Sequence, residues 1–462
     1  HVWAKMPDEY MPELRRDLQW LLDSLNVKEG TYDYYFRPRP GRIDHSVTQY
    51  GMLGVWEAAK RDVPVSDGYW RVLENHFVEA QREDGGWNYY NDDETSYGSM
   101  TAAGLTVLYV TQDYLHWKDY SRTGRTPNHP LQRHINLGLN WLARYYDPSI
   151  NPMPGPGRSV KEAPRGSAGY YLYGVERVGL ASGLKFFNEV DWYAAGARHL
   201  LDKQYSSGSI GGLTDTAFAL MFLVRGRVPV FINKLAIDGF DWNNRPRDAA
   251  NLTAWVSDQV ENEMIWQIVT VDTAVEKWMD APILYLASHM PLRFEDEQVE
   301  LPKEMRQQLA ARIERLPEPT DPRLRRRQAT ADDEGGEALP LNDVFAAQVK
   351  RYIDLGGTLL TAADDNNRNF TRSIEMLMKR LYPDYEYKPI DPEDPVYNIV
   401  FPVHGRRAPL RSVHNGIRHL AIHSDRDLSW VLHSNTQRDP SLWQFMANLY
   451  YYATEKGDIR PK

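Results

Sequence analysis

The stretch QREDGGWNYY, residues 81–90, decides the fold of the first half of this chain. It follows a segment with helical spacing of its apolar residues and precedes a segment rich in small residues that begins near Ser99. A related stretch, EGTYDYY at residues 29–35, has similar neighbours, and Tyr32 stands in the place of Trp87. The spacing therefore predicts a repeated unit of helix, glycine-aromatic turn and helix.

A third copy, QYSSGSI at residues 204–210, again places a glutamine four residues before a glycine, as Gln81 precedes Gly85. Glycine can end a helix in a left-handed conformation that other residues resist, and the glutamine can bond to backbone groups freed at the turn. The segments after the turns predict inner helices that suit close packing. They begin near Ser46, Ser99, Ala168 and Leu213.

The turn from Gln81 to Trp87 resembles the repeat motif of squalene cyclases and of the β subunits of protein prenyltransferases. The resemblance covers about residues 10–226 and implies an α/α-toroid of helical hairpins, which we assign to residues 1–226. An array of helical hairpins that does not close into a toroid is the alternative.

The catalytic motifs of those families are missing. The chain has neither the Asp-x-Asp-Asp motif of the cyclases nor a cysteine for a prenyltransferase zinc site or a thioester. The acidic run at residues 91–94 lacks the metal-binding spacing of terpene synthases and is interpreted as a solvated loop. We therefore expect a ligand- or partner-binding protein. A polysaccharide lyase or hydrolase, or a terpenoid-modifying enzyme that uses another acid such as Asp215, remains the alternative.

In a toroid the N-termini of the inner helices converge on one mouth, where backbone N–H groups and the helix dipole favour anionic or polar ligands. We predict a ligand site there for an apolar, isoprenoid or glycan molecule, and leave a protein partner open. The candidate residues are Asp44, His45, Gln49, Trp87, Asn88, Tyr89, Tyr97, Tyr170, Tyr173, Glu176, Arg177 and Asp215.

Some of these residue types have ordinary structural roles. Tyr173, Glu176 and Arg177 share one helix face, which favours a Glu-Arg network over catalysis. The pair at residues 44–45 precedes a helix and is interpreted first as a cap. In the lyase alternative, Tyr170 or Tyr173 would be the base and Arg177 would neutralise a uronate.

The second half, residues 227–462, changes to short apolar runs separated by helical stretches, which predicts a mainly parallel sheet. The predicted strands are residues 228–237, 268–271, 283–286, 358–361 and 419–422. A charged, proline-rich insertion is expected at residues 302–340.

The stretches APILYLASH, YIDLGGTLLTAAD and NGIRHLAIHSDRDLSW resemble a bacterial domain family of unknown function that is related in fold to class I glutamine amidotransferases. The resemblance implies a flavodoxin-like, amidotransferase-like sheet. Amidotransferases use a cysteine nucleophile, and this chain has none, so glutamine hydrolysis of that kind is excluded.

Ligands of open parallel sheets bind beyond the carboxyl ends of the strands. The candidates there are Ser288, His289, Asp364, Asp365 and Asp425, and His404 and Arg406 are candidates for receiving an anionic group. Asp364 and Asp365 with His404 or His423 are too scattered in sequence to predict a metal site. We predict no metal and no cofactor.

Composition bounds these hypotheses. A net charge of -9 without a basic face argues against a nucleic-acid partner, and the run RLRRR at residues 323–327 is followed at once by acidic residues. The longest apolar stretches fall short of the roughly 20 residues that span a bilayer. The chain begins at His1 instead of Met, so either a leader was removed or the chain was trimmed, and the first alternative leads us to expect an exported, periplasmic protein.

Overall fold

The structure is a computed structural model of the chain. It describes residues 2–36, 41–90, 95–116, 130–155, 159–164, 166–225, 228–292, 341–404 and 409–454. The predicted insertion at residues 302–340 and the candidate Arg406 lie outside the described residues.

The first half is helical. Its helices are α1 (Met11–Ser24), α2 (His45–Ala59), α3 (Asp67–Glu79), α4 (Gly98–Leu115), α5 (Pro130–Tyr145), α6 (Ala168–Ser182), α7 (Trp192–Asp202) and α8 (Leu213–Arg225). Two small antiparallel ribbons lie between them, β1 (Pro152–Pro154) with β2 (Val160–Glu162) and β3 (Phe186–Phe187) with β4 (Val190–Asp191). No described helix is long and apolar enough to cross a membrane.

The inner helices are α2, α4, α6 and α8, and each packs against the next one along the chain. The outer helices α1, α3, α5 and α7 pack against these inner helices. Each inner helix begins within one residue of its predicted start. The described residues therefore form an array of helical hairpins, and its closure into a toroid stays a prediction.

The glycine turns share one geometry. Gly30, Gly85 and Gly208 all have positive φ, at 68°, 90° and 86°. Gln81 Nε2 donates to the Gly85 carbonyl at 2.9 Å, and Gln204 Nε2 donates to the Gly208 carbonyl at the same distance. The glutamine thus stabilises the left-handed turn that ends the outer helix.

A threonine on each inner helix fixes the turn that precedes it. The backbone N–H two residues after each turn glycine donates to a threonine hydroxyl, at distances of 3.0 to 3.2 Å. The pairs are Tyr32 with Thr48, Trp87 with Thr101, and Ile210 with Thr216. Three copies of one structural unit are therefore present.

The second half is an α/β domain. Its strands are β5 (Val230–Ala236), β6 (Ile265–Thr270), β7 (Ile283–Ser288), β8 (Thr358–Ala363), β9 (Lys388–Pro389), β10 (Arg411–His414) and β11 (His419–Ser424). Its helices are α9 (Asp248–Val260), α10 (Val275–Trp278), α11 (Leu341–Asp354), α12 (Arg368–Leu381), α13 (Leu428–His433) and α14 (Ser441–Thr454).

These strands form one sheet in the order β6-β5-β7-β8-β11-β10-β9. The first five are parallel, and β10 is antiparallel to both of its neighbours. Counted along the chain, the parallel strands have the flavodoxin-like order 2-1-3-4-5. The antiparallel edge was not predicted, because β9 and β10 are short and β10 contains Arg411 and His414 in place of an apolar run.

Helices cover both faces of the sheet. Ile283, Tyr285 and Ala287 point from β7 into the core formed with α9 and α14, whereas Leu284 and Leu286 point into the core formed with α11 and α12. This alternation follows from the two-residue period of a strand. Both faces are buried, as in other doubly wound parallel sheets.

Among the residues that the structure describes, the two halves contact each other at two places. At the edge of the sheet, Ile268 N donates to Gly183 O at 2.6 Å. At the second place Arg247, just before α9, forms an ion pair of 2.7 Å with Asp113 of α4. The second contact brings the last turn of an inner helix beside the carboxyl ends of the strands.

Candidate functional site

Side chains of three inner helices, α2, α6 and α8, meet within the helical array. We name this group the helical centre and define it as Gln49, Tyr50, Tyr170, Tyr173, Arg177 and Phe218. The Tyr170 hydroxyl lies 2.7 Å from Ser46 Oγ and accepts from Gln49 Nε2 at 2.6 Å. Gln49 Oε1 in turn accepts from Arg177 Nη2 at 2.8 Å. These bonds fix the guanidinium of Arg177.

Arg177 is surrounded by aromatic rings. Its guanidinium carbon lies 4.2 Å from the ring centre of Tyr173 and 5.8 Å from that of Tyr50. Its Nε and Nη1 atoms are buried without a well-formed hydrogen bond among the described residues, and the Tyr50 hydroxyl interacts with the guanidinium. Burial raises the pKa of Tyr50, so this hydroxyl keeps its proton at neutral pH. The centre therefore presents buried guanidinium N–H groups and the hydrogen of the Tyr50 hydroxyl without a well-formed acceptor among the described residues.

The remaining residues predicted for the mouth have other contacts, such as that of Trp87 Nε1 with the Phe77 carbonyl. Asp44 caps α2 by accepting from Val47 N at 3.0 Å, and Asp215 accepts from Gly212 N at 3.4 Å before α8. Tyr97 is the N-cap residue of α4. The buried set comprises Trp87, Asn88, Tyr89, Tyr97 and Glu176.

His45 belongs to a buried histidine pair. Its Nδ1 donates to the Asn88 carbonyl at 2.6 Å, and its Nε2 lies 2.9 Å from His76 Nε2. Since neutral His45 carries its proton on Nδ1, its Nε2 accepts from His76. Burial lowers the pKa of His45 to about 4 and that of His76 to about 3. The side chains of these histidines bond to each other and to the Asn88 carbonyl, so we do not count them in the helical centre.

The α/β domain brings a second group of side chains together at the carboxyl ends of its strands. The chain passes from β5 to β6 on one side and then to β7 on the other, so the topological switch point lies between β5 and β7. Ligands of such sheets bind at this point. We name the group there the carboxyl-edge cluster. It consists of Lys234, Arg245, Asp248, Tyr285, Asp364, Asp365, Asp427 and Ser429.

Two cations hold the cluster together. Lys234 is buried within β5, and its Nζ donates to Asp248 Oδ1 at 2.6 Å. Arg245 is also buried, and its Nη2 donates to Asp365 Oδ1 at 3.0 Å and to Asp427 Oδ2 at 2.7 Å. Buried charges persist in proteins only when they are paired in this way.

Asp364 follows directly after β8 and is buried. Its Oδ1 is hydrogen-bonded with Ser429 Oγ, and its Oδ2 has no partner among the described residues. Burial raises the pKa of Asp364 to about 7. Next to it, Asp365 and Asn366 have positive φ, at 54° and 55°, so the chain turns sharply between β8 and α12.

Other residues predicted for this edge lie near the cluster or apart from it. Ser288 is buried and its Oγ accepts from Met290 N at 3.0 Å, while His289 Nδ1 lies 2.8 Å from Asn244 Nδ2. Asp425 pairs with Arg411. His404 is exposed in a loop.

The described side chains that were considered as metal ligands have other hydrogen-bond partners. His423 bonds with Thr361 and Thr371, whereas Asp364 bonds with Ser429, so His423 and Asp364 have different partners. In the part of the chain that the structure describes, no group of three or more His, Asp or Glu side chains could hold a metal ion.

Sequence reasoning missed most of the carboxyl-edge cluster. Lys234 in the apolar run VFINKLA was a usable signal, because lysine is almost never fully buried unless it is paired. Asp427 and Ser429 have the spacing of a helix cap, so their pattern did not indicate that they form a network with Asp364. In the helical centre, Tyr50 and Phe218 were missed, because only the packing of the helices brings them beside Arg177.

Comparisons with known proteins describe one part of this domain. Residues 334–447 match a family described as Domain of unknown function (DUF4159). The DUF4159 segment contains β8 to β11 and Asp364, Asp365, Asp427 and Ser429 of the cluster, while Lys234, Arg245, Asp248 and Tyr285 precede it. No curated protein and no solved structure matches the chain.

Proposed function

We propose that this chain is a ligand-binding protein whose helical centre holds the anionic group of a ligand with an apolar or sugar body. The observation that carries the proposal is Arg177, a fixed guanidinium whose buried Nε and Nη1 atoms have no well-formed hydrogen bond among the described residues. A carboxylate or phosphate oxygen would supply those acceptors.

The energetics favour an anion over a neutral ligand. A buried donor without a partner costs about 1–3 kcal/mol, and more when the group is charged. Hydrogen bonds between a guanidinium and an anionic oxygen are roughly twice as strong as neutral ones. The Tyr50 hydroxyl, which lies beside the guanidinium, adds a third donor. An anionic group would satisfy all three at once.

The aromatic rings suit the rest of such a ligand. Tyr170 and Tyr173 both pack against Phe218, with ring centres 5.4 and 5.6 Å apart. Aromatic faces stack against apolar chains and sugar rings alike. The sequence lacks the catalytic motifs of the families that it resembles, so the proposal is binding and not turnover.

A thermal-shift screen with matched ligand pairs tests the proposal, because a ligand that prefers the native state raises the melting temperature. The pairs are an isoprenoid diphosphate with its alcohol, and an oligouronide with the corresponding neutral oligosaccharide. We expect the anionic member of one pair to raise the melting temperature and its neutral partner to have little effect.

Two arginine variants make the test specific. Arg177→Met keeps an unbranched apolar side chain and removes the guanidinium. We therefore expect it to weaken binding of the responding anion about 10- to 100-fold. Arg144→Met is the matched control, because Arg144 is an exposed arginine whose guanidinium also lies over a ring, that of Tyr145. Equal responses to both members of each pair, or unchanged binding by Arg177→Met, would refute the proposal.

A further inference from the structure

The carboxyl-edge cluster lacks hydrogen-bond donors, which is the opposite of the helical centre. The Tyr285 hydroxyl interacts with the Asp248 carboxylate, while the buried Asp364 Oδ2 has no hydrogen-bond partner among the described residues. The Tyr285 hydroxyl can donate one hydrogen at most. At least one buried carboxyl oxygen is therefore left without a donor, which calls for a proton or a cation.

The bonds of Ser429 locate the proton. Its hydroxyl oxygen is hydrogen-bonded with Asp364 Oδ1 and lies 2.8 Å from Asp427 Oδ1, yet a hydroxyl has only one hydrogen to donate. Asp427 accepts further bonds from Arg245 Nη2, Asp365 N and Trp430 N, each at 2.7 Å, so both of its carboxyl oxygens act as acceptors. With a proton on Asp364, both contacts of Ser429 have a hydrogen, because Asp364 then donates to Ser429 while Ser429 donates to Asp427.

The charges that face Asp364 come from several elements. Arg245 precedes α9 and Asp248 is its first residue, Asp427 caps α13, and Tyr285 lies on β7, while Lys234 of β5 pairs with Asp248. His433 of α13 is kept neutral, because burial lowers its pKa to about 3. Each of the two cations already has a carboxylate partner.

Carboxylates form the open side of this cluster. The Asp365 side chain is 46% exposed and that of Asp427 is 13% exposed, whereas Arg245 behind them is only 2% exposed. Nearby, Asp241 is 41% exposed and lies 3.3 Å from His289. A molecule that approaches from solvent meets negative charge before it meets the arginine.

We propose that the α/β domain binds an organic cation of the ammonium or guanidinium class at this edge, held by Asp365 and Asp427, and that Asp364 releases its proton when the cation binds. The proton passes through Ser429 and Asp427 to solvent. The products are a complex of the cation with the site, in which Asp364 is ionised, and one hydronium ion. No covalent bond forms or breaks. This site is independent of the one proposed for the helical centre.

Electrostatics connects the two events. A positive charge within a few ångströms of a carboxyl group favours the ionised form and lowers its pKa. By linkage, the cation then binds more tightly where Asp364 is already ionised. With the pKa of the free Asp364 near 7, we expect binding about tenfold tighter at pH 8 than at pH 6.

Titration calorimetry of the full chain with spermidine and with methylguanidine tests this inference at pH 6 and pH 8 and constant ionic strength. Both probes are cationic at both pH values. We expect the tenfold change in affinity, together with release of nearly one proton per cation at pH 6 when buffers of different ionisation enthalpy are compared.

Three variants complete the experiment. Asp364→Asn should abolish both the pH dependence and the proton release, and Asp365→Asn should weaken binding about tenfold at both pH values. Asp258→Asn, which removes an exposed acid from the same helix α9, should behave as the native protein. Absence of binding by both probes, or a pH dependence that persists in Asp364→Asn, would overturn the proposal.

Discussion

At the scale of single residues, glycines on the inner helices lie where a side chain would collide with the aromatic residue of the preceding turn. A Cβ atom on Gly104 would lie 2.4 Å from the Trp87 ring, and one on Gly51 would lie 2.7 Å from the Tyr32 ring. Gly51 and Gly104 occupy equivalent positions in their repeats. Close packing of a ring on a helix backbone is thus a property of the repeat.

Gly104→Ala should lower the free energy of unfolding by about 1–3 kcal/mol, because the added methyl group overpacks the Trp87 contact. Gly68→Ala is the matched control, since nothing lies nearer than 3.7 Å to its Cβ position and alanine favours a helix by roughly 0.5–1 kcal/mol. Urea denaturation of both variants measures the difference. A Gly104→Ala protein as stable as the native one would contradict the packing described here.

Also at this scale, the His45–His76 pair makes stability depend on pH. Both pKa values are lower in the folded protein than the value of about 6.5 in the unfolded chain, so the unfolded state binds more protons as the pH falls. The stabilisation that comes from keeping the two histidines neutral is fully present above pH 6.5 and is lost as the pH falls toward 4. Each histidine should contribute a loss of about 2 kcal/mol between pH 7 and pH 5.

His76→Gln should reduce this acid sensitivity, because the glutamine amide can donate to His45 without taking up a proton. Urea denaturation at pH 7 and pH 5 should show a loss smaller by about 2 kcal/mol in the variant than in the native protein. The exposed His404 provides the control variant His404→Gln, which should change nothing. An unchanged pH dependence in His76→Gln would exclude the pair as its cause.

At the scale of an element, helix α8 has two unequal faces. Phe222 is fully buried against Trp192 and Tyr193, whereas Leu213, Leu220 and Val224 are exposed. Apolar side chains therefore contribute to the free energy of unfolding on one side of this helix and contribute little on the other. Only the side that packs against the preceding hairpin contributes to the core.

Phe222→Ala should destabilise the protein by about 3–5 kcal/mol, because it leaves a cavity in the core. Leu220→Ala, two residues away on the exposed side, should change stability by no more than about 0.5 kcal/mol. Comparing their denaturation midpoints checks the orientation of α8. Equal effects of the two substitutions would show that the helix is rotated relative to this description.

At the scale of the whole molecule, the DUF4159 segment is not a complete structural unit. It supplies β8 to β11, but β5, β6 and β7 precede it and complete the sheet. Leu284 and Leu286 of β7 belong to the same core as Leu359 of β8 and Phe370 of α12. The segment alone would expose this core and the edge of β8.

A fragment of residues 228–454 should therefore unfold cooperatively, whereas residues 334–447 alone should not. Urea titrations followed by circular dichroism distinguish the two results. The longer fragment retains both cores of the sheet, which makes it the proper control for truncation itself. A cooperative transition in the 334–447 fragment would mean that the shorter segment folds without its neighbouring strands.

The sequence by itself determined the local units of this protein. Glycine turns at Gly30, Gly85 and Gly208 and the period of the apolar residues predicted the inner helices, and short apolar runs predicted the five parallel strands. These signals are local, because helix ends and strand alternation depend on neighbours a few residues apart. Closure of the helical array into a toroid stays a prediction.

Only the tertiary structure decided which side chains meet. Gln49 and Arg177 are 128 residues apart in the chain, and Arg245 and Asp427 are 182 residues apart. Whether a donor or acceptor lacks a partner depends on every group around it, so no sequence pattern shows which nitrogen atoms of Arg177 are left without a well-formed bond or that Asp364 holds a proton. Burial and long-range packing set those properties, because they fix the solvation and the charges around each group.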